Sequence, residues 1–327
     1  MNSKLESGIA GLVLFVAVSS GMAGGAFAQS YPNKPMRFVV AMSPGGVTDI
    51  LARIVGQKLT ESWGQAVVID NRPGASGMLG SEYTAKAPPD GYTIQMAQIS
   101  THAINLSLFS KVPYDPVKDF APVTQIAALT GWLVVHPSFP ANSVQELIAL
   151  AKAKPGEINF ATGGIGTTLH LAGELLKTMA GIDIVHVAYS GAKFLPAVIG
   201  GEIPIALDNM PSSIAFVKSG KLKALAVITS KRSPTMPELP TIAESGVPGF
   251  EVASWIGVVA PAKTPRDIVN KLHAEIIRIL RMPDVQQRFF ELGADPVGNT
   301  PEQFGAYIQA EIVKWAKVVK DSGAHAN

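Results

Sequence analysis

The chain has 327 residues, 47% hydrophobic and 16% charged, which is long enough for two domains with a sizeable core and too apolar for intrinsic disorder. Its 27 Lys and Arg against 25 Asp and Glu leave a formal net charge of +2, too near neutral to supply the field on which nucleic-acid binding depends. There is no cysteine, which excludes thiol catalysis, Cys-based metal sites and disulfides and suits an oxidising compartment. At the N-terminus Lys4 precedes the apolar run 9–18, and small residues lead to Ala26-Phe27-Ala28. This is the pattern of a secretory signal peptide cut after Ala28, because a membrane span takes about 20 apolar residues. The mature chain is expected to be soluble and exported, without a lipid anchor, since no Cys follows the cut.

From residue 35 onward, short apolar runs alternate with amphipathic stretches, the pattern of βαβ units around a mostly parallel sheet. Strands are predicted at 36–41, 66–70, 93–97, 131–136, 158–161, 182–187, 203–207, 224–228 and 256–260. Helices are predicted at 48–59, 144–152, 167–179, 193–199, 214–219, 266–280, 283–292 and 301–319. The last helices carry apolar faces around Ile276, Leu280, Phe289 and Trp315 that need a sheet to cover. If that sheet is the N-terminal one, the chain crosses between domains twice.

Two glycine-bearing bends join a strand to a helix. In the first, Pro44, Gly45 and Gly46 precede Thr48 and Asp49. In the second, Thr162, Gly163, Gly164, Gly166, Thr167 and Thr168 precede His170. Glycines let backbone N–H groups approach a guest, and a helix N-terminus favours an anion, so each bend reads either as a carboxylate cradle or as an ordinary strand–helix turn capped by its own hydroxyl or carboxylate. Asp49 competes with a guest anion for the same N–H groups. The second bend is not a phosphate loop: Gly166 is followed by Thr167-Thr168 rather than Lys-Ser/Thr, and Leu169 stands where a dinucleotide fingerprint has its third glycine. Two such bends in different halves suggest one small anion held between them.

Tyr189 to Lys193 and Leu207-Asp208-Asn209 also follow predicted strands, where ligands bind in open α/β sheets. Lys193 reads as a cation for an acidic ligand or as a solvated side chain. Asp208 reads as an acceptor for a ligand or bridging water, or as the cap of the next helix. No G-x-S-x-G, H-E-x-x-H, EF-hand or kinase pattern occurs, and His102, His136, His170, His186, His273 and His325 have no metal-ligand spacing. No catalytic residue, metal or cofactor is expected.

Nine motifs stand along the chain: Tyr31-Pro-Asn-Lys-Pro35, Ser43-Pro-Gly-Gly-Val-Thr-Asp49, Asp70-Asn-Arg-Pro-Gly-Ala-Ser-Gly77, Pro89-Asp-Gly-Tyr-Thr93, Val112-Pro-Tyr-Asp-Pro-Val-Lys-Asp-Phe120, His170-Leu-Ala-Gly-Glu174, Gly220-Lys-Leu-Lys-Ala-Leu-Ala226, Leu239-Pro-Thr241 and Pro248-Gly-Phe250. Together they resemble the Bug family, the extracytoplasmic solute receptors of tripartite tricarboxylate transporters. The resemblance implies an α/β, two-lobed type II periplasmic-binding-protein fold, each lobe a mostly parallel sheet flanked by helices. Lobe 1 is expected to comprise 29–129 and 254–327 and lobe 2 to comprise 130–253, with crossings near 128–134 and 252–258.

The implied ligand is a small carboxylate, whether a dicarboxylate, an aromatic acid or an acidic amino acid, held by the two bends, with His170, Tyr189, Lys193 and Asp208 beside them. The implied partner is a membrane permease, and the protein is expected to be a monomer. A sensory receptor subunit, and a secreted hydrolase using His170 or Asp208 as base, are the competing readings. The chain departs from the family after Tyr189, where Ser190 replaces the usual base and Lys193 is the candidate to replace it.

Overall fold

The protein is described by a computed structural model covering residues 31–322, so the expected signal peptide lies outside the described residues. β1 (Met36–Val40) is buried except at Arg37, because it runs between two parallel neighbours, β2 (Val67–Asn71) and β3 (Thr93–Gln98). α1 (Val47–Trp63) and α2 (Met78–Ala85) make the connections, and α1 turns Leu51, Ala52, Val55 and Leu59 inward at helical spacing. A π-turn at Ser100–Ile104 leads into α3 (Asn105–Leu108) and then β4 (Phe120–Leu129).

Thr130 alone separates β4 from β5 (Gly131–Val135), which lies in a second sheet. That sheet is built with α4 (Val144–Ala153), β6 (Asn159–Thr162), α5 (Thr168–Ala180), β7 (Val185–Ala188), α6 (Leu195–Ile199), β8 (Ile205–Asn209), α7 (Met210–Lys218) and β9 (Lys223–Val227). The chain returns to the first sheet as β10 (Ser254–Pro261) and continues through α8 (Arg266–Leu280), α9 (Pro283–Leu292), β11 (Ala294–Pro296) and α10 (Pro301–Ser322). The strand orders are β11-β4-β10-β3-β1-β2 and β7-β6-β8-β5-β9. Among the described residues no helix is long and apolar enough to cross a membrane.

The sheets are mixed rather than mostly parallel. Pairings of β1 with β2 and β3, and of β6 with β7 and β8, are parallel. β10 runs antiparallel to β3 and β4, β11 to β4, and β5 to β8 and β9. The strands that enter from the other sheet, β5 and β10, follow β4 and β9 with no helix between, and every antiparallel pairing except β11 with β4 includes one of them.

β4 escapes a pattern-based reading because Pro122 stands in it, and a proline lacks the N–H of a ladder. It is accommodated where the β4–β10 register shifts, at Val259, and beyond the reach of β11, which pairs only with residues 127–129. α8 and α10 pack on β4, and α10 buries Phe304, Ile308, Trp315 and Val319. The tail thus covers the N-terminal sheet. Close packing is sharpest at Gly257 of β10, where a Cβ would meet the ring of Phe304 and lie 2.8 Å from the Thr124 carbonyl oxygen. Gly257→Ala is therefore expected to cost about 1–3 kcal/mol through overpacking, read as a lower thermal midpoint.

Candidate ligand-binding site

β1 ends in the first bend. Gly45 has φ 83°, a left-handed conformation that a glycine adopts without strain, and its N–H donates to Asp49 Oδ2 at 2.9 Å. The same carboxylate accepts from Arg53 Nε (3.0 Å) and Nη2 (2.9 Å) and from Asn71 Nδ2 (3.0 Å). Burial pushes the Asp49 carboxyl up, but the bonds from Arg53, Gly45 and Asn71 outweigh it and hold it below the ordinary value. Asp49 is therefore a brace for the bend. Gly46, the N-cap of α1, makes no side-chain cap, so the first N–H groups of that helix remain available. Thr48 Oγ1 donates to Gln98 Oε1 at 2.6 Å, and Gln98 Nε2 donates to Ser100 Oγ at 2.7 Å.

The second bend follows β6. Thr167 caps α5 by accepting from the His170 N–H and donates its own hydroxyl to the Gly164 carbonyl at 2.8 Å. Gly166 N–H donates to His170 Nδ1 at 3.3 Å, and Thr162 Oγ1 lies 2.7 Å from His186 Nε2. The two imidazoles stack with centroids 4.2 Å apart. Burial lowers both; His170 and Lys177 add to the effect on His186, which falls to about 3. His170 and Thr162 thus support the bend from behind.

Both bends line one cavity of about 90 Å³, several times the roughly 10–15 Å³ that one water needs. Gly46 and Thr48 come from the first bend, Gly163, Thr167 and Thr168 from the second, and Asp208 from the end of β8. Gly164 and Tyr189 line a neighbouring groove with Ser76 and Ser190. Across that groove Ser43 Oγ and Ser190 Oγ are 2.7 Å apart, and Ser76 Oγ donates to the Ile165 carbonyl at 2.6 Å. The loops of the two sheets thereby touch directly.

Seven expected site residues, Pro44, Gly45, Asp49, Thr162, Gly166, His170 and Lys193, line neither the cavity nor the groove. Gly45, Asp49, Thr162, Gly166 and His170 are engaged in holding the bends, as above. Pro44 is exposed on the outside of its turn. Lys193 is exposed, and at the position of the family's usual base Ser190 lines the groove and meets Ser43.

Gln98, Ser100, Ser254 and Trp255 line the cavity unannounced by any sequence motif, and Asn209 joins them from the strand end marked by Leu207-Asp208-Asn209. Strand ends were the available signal for Gln98 and Asn209. Among the described residues that line the cavity Asp208 alone is ionisable, and none is Lys, Arg or His. Burial, opposed by bonds from Ser213, the Asn209 N–H and Ser212, raises the Asp208 carboxyl to about 7. Among the described residues no group of three or more His, Asp or Glu is placed to hold a metal ion.

Comparison with known proteins agrees with this architecture. Residues 51–324 match the tripartite tricarboxylate transporter family receptor domain. BugT of Bordetella pertussis is 38% identical over 315 residues, covering 95% of this chain and 96% of its own. The UPF0065 protein in the tcbD-tcbE intergenic region of Pseudomonas sp. strain P51 is 38% identical over 323 residues, covering 98% and 95%. Among solved structures, an R. palustris protein with adipate superposes with a TM-score of 0.88 at 40% identity, covering 90% of this chain and 99% of that one. MatC from Rhodopseudomonas palustris with bound malate gives 0.83 at 33%, covering 88% and 100%. The periplasmic binding protein BugD gives 0.86 at 33%, covering 91% and 100%. With this fold, these two bends and these relatives, the chain belongs to the tripartite tricarboxylate transporter receptor family, of the Bug type.

Proposed function

We propose that the protein is an exported periplasmic receptor that captures a small carboxylate between its two glycine-bearing bends and presents the closed form to a tripartite tricarboxylate transporter permease. The observation that carries this reading is the meeting of the α1 and α5 N-termini at one cavity with no cationic side chain among its described lining residues. An anion there is held by backbone N–H groups, helix dipoles and hydroxyls, which are fixed before it arrives and need no counter-charge. Relatives solved with adipate and with malate support a carboxylic acid as the guest.

In this reading residues 29–129 with 254–327 form one lobe and 130–253 the other, hinged where β4 passes into β5 at Thr130 and where the chain re-enters β10. A ligand that touches both lobes stabilises the closed state by its differential affinity, and the contacts of Ser43 with Ser190 and of Ser76 with Ile165 add to that closure. The bound protein then differs in shape from the empty one, which is what a permease recognises.

The test is a thermal-shift and calorimetric screen of purified residues 29–327 against mono-, di- and tricarboxylates, aromatic acids and acidic amino acids. A ligand at 100 times its Kd adds about 2.7 kcal/mol to stability. Gly46→Leu is the matched control. A Cβ at Gly46 has only the Ser43 carbonyl oxygen nearby, at 3.8 Å, so leucine fits the backbone while filling the cavity. The variant is expected to fold with an unchanged far-UV spectrum and to lose the ligand-induced shift. Full binding by Gly46→Leu would remove the cavity from consideration as the site.

A further inference from the structure

We propose that the part of the cavity at the end of β8 takes a hydrogen-bond donor, so that the ligand is a carboxylate whose other end carries an amide, hydroxyl or ammonium group rather than a second free carboxylate. This rests on the reading above, in which the bends hold the first carboxylate, and it narrows the class of ligand.

Two side chains carry the inference. Asp208 and Asn209 are the last residues of β8; both line the cavity and both are buried, with 3% and 8% of their surface exposed. Among the described residues, Asp208 Oδ2 and Asn209 Oδ1 have no hydrogen-bond partner. Asn209 Oδ1 is an acceptor and so is Asp208 Oδ2 once the carboxyl is ionised, and a buried acceptor left without a donor costs free energy that a partner recovers. Ser212, Ser213 and the Asn209 N–H serve the rest of the Asp208 carboxyl, with Ser213 also accepting from Trp132 Nε1 at 3.0 Å. What the subsite lacks is a donor.

The surroundings set what can supply it. Met210 N–H donates to the Thr130 carbonyl at 2.9 Å, and Leu129 pairs with Ser254, which brings β8 against the strands that cross between the sheets. The neighbouring lining there includes Leu129, Ser254 and Trp255. Trp255 cannot donate, because its indole N–H is committed to Glu311. Ser254 offers at most one neutral hydroxyl proton. A second ligand carboxylate would bring a negative charge beside Asp208 in a cavity with no cation to offset it, whereas an amide, hydroxyl or ammonium would satisfy the unpartnered acceptors.

The experiment compares end groups at constant chain length and pH 8.5. In the six-carbon series adipate, its monoamide, 6-hydroxyhexanoate and 6-aminohexanoate are titrated into the mature chain by calorimetry. The four-carbon series uses succinate, succinamate, 4-hydroxybutyrate and 4-aminobutyrate. In the series that fits, a donor-bearing monocarboxylate is expected to bind at least about tenfold tighter than the dicarboxylate. Asp208→Asn, which replaces an acceptor by a group with its own donor, is expected to narrow that preference or reverse it. A dicarboxylate that binds tightest at pH 8.5, with Asp208→Asn indifferent, overturns the inference while leaving the carboxylate receptor intact. If neither series nor the wider acid screen gives any binding, the receptor reading fails and the inference with it.

Discussion

Truncating Glu311 to alanine is expected to lower the unfolding free energy by about 2–5 kcal/mol. Glu311 lies on α10 with only 5% of its surface exposed, and its Oε2 accepts from two indoles, Trp255 Nε1 at 3.2 Å and Trp315 Nε1 at 3.1 Å. Trp255 is fully buried on β10 and Trp315 nearly so on α10, so the carboxylate ties the last helix to a strand at the centre of the first sheet. Alanine leaves two buried N–H donors without acceptors and opens a void beside them. Glu311→Gln keeps an acceptor oxygen in nearly the same place and is expected to cost much less, about 1 kcal/mol, so the pair separates loss of the acceptor from loss of the charge.

Urea denaturation measures both variants. The functional consequence follows from Trp255 lining the cavity, with its ring also held edge-on by Phe304 at 5.5 Å and by Tyr307 at 5.8 Å. Glu311→Ala should therefore weaken ligand binding even at temperatures where the protein remains folded. An unchanged urea midpoint for Glu311→Ala would show that the indoles find other acceptors.

The elements read most directly from the sequence are those whose own periodicity decides them. α8 and α9 run over Arg266–Leu280 and Pro283–Leu292, the spans their apolar spacing predicts, because each has one buried stripe and its own start signal. β4, β11 and α2 carry no such signal. β4 has Pro122 and several alanines, β11 is three residues long, and α2 is set by close approach to β1, where a Cβ at Gly80 would lie 2.8 Å from both Ala41 Cα and the Arg72 carbonyl oxygen.

The site divides in the same way. Glycine bends before helices are local features and both reach the cavity. Whether a residue of a bend faces the guest or braces the turn depends on partners far along the chain. Asp49 meets Asn71, Thr162 meets His186 and Ser43 meets Ser190, the last pair 147 residues apart. Sequence spacing carries none of these pairings, which is why Asp49 and His170 have the right chemistry for a ligand and are used for support.

Asp208→Asn is expected to raise the stability of the empty protein at pH 8 and to leave it nearly unchanged at pH 4. The folded-state carboxyl is raised from 3.8 to about 7, chiefly by burial. An acid raised in this way holds its proton in the folded state over a range where the unfolded chain has lost it, so its contribution is fully present below pH 3.8 and is lost as pH rises through about 7. The loss amounts to a few kcal/mol, and asparagine, of the same shape and uncharged at every pH, does not incur it. His102 and His186 act on the opposite side. Burial lowers both to about 3, so the stability they contribute is present above 6.5 and is lost as pH falls through about 3.

The wild-type thermal midpoint should accordingly fall on both flanks, and Asp208→Asn should flatten only the alkaline one, its advantage growing between pH 4 and pH 7 and then holding level. Curves that run parallel across that range would mean that Asp208 keeps an ordinary carboxyl affinity for its proton. The alkaline cost has a counterpart in function, because a ligand donor placed beside an ionised Asp208 removes it. Ligand-induced stabilisation of the wild type should therefore be larger at pH 8 than at pH 5 for a donor-bearing acid, and the Asp208→Asn variant should show no such difference.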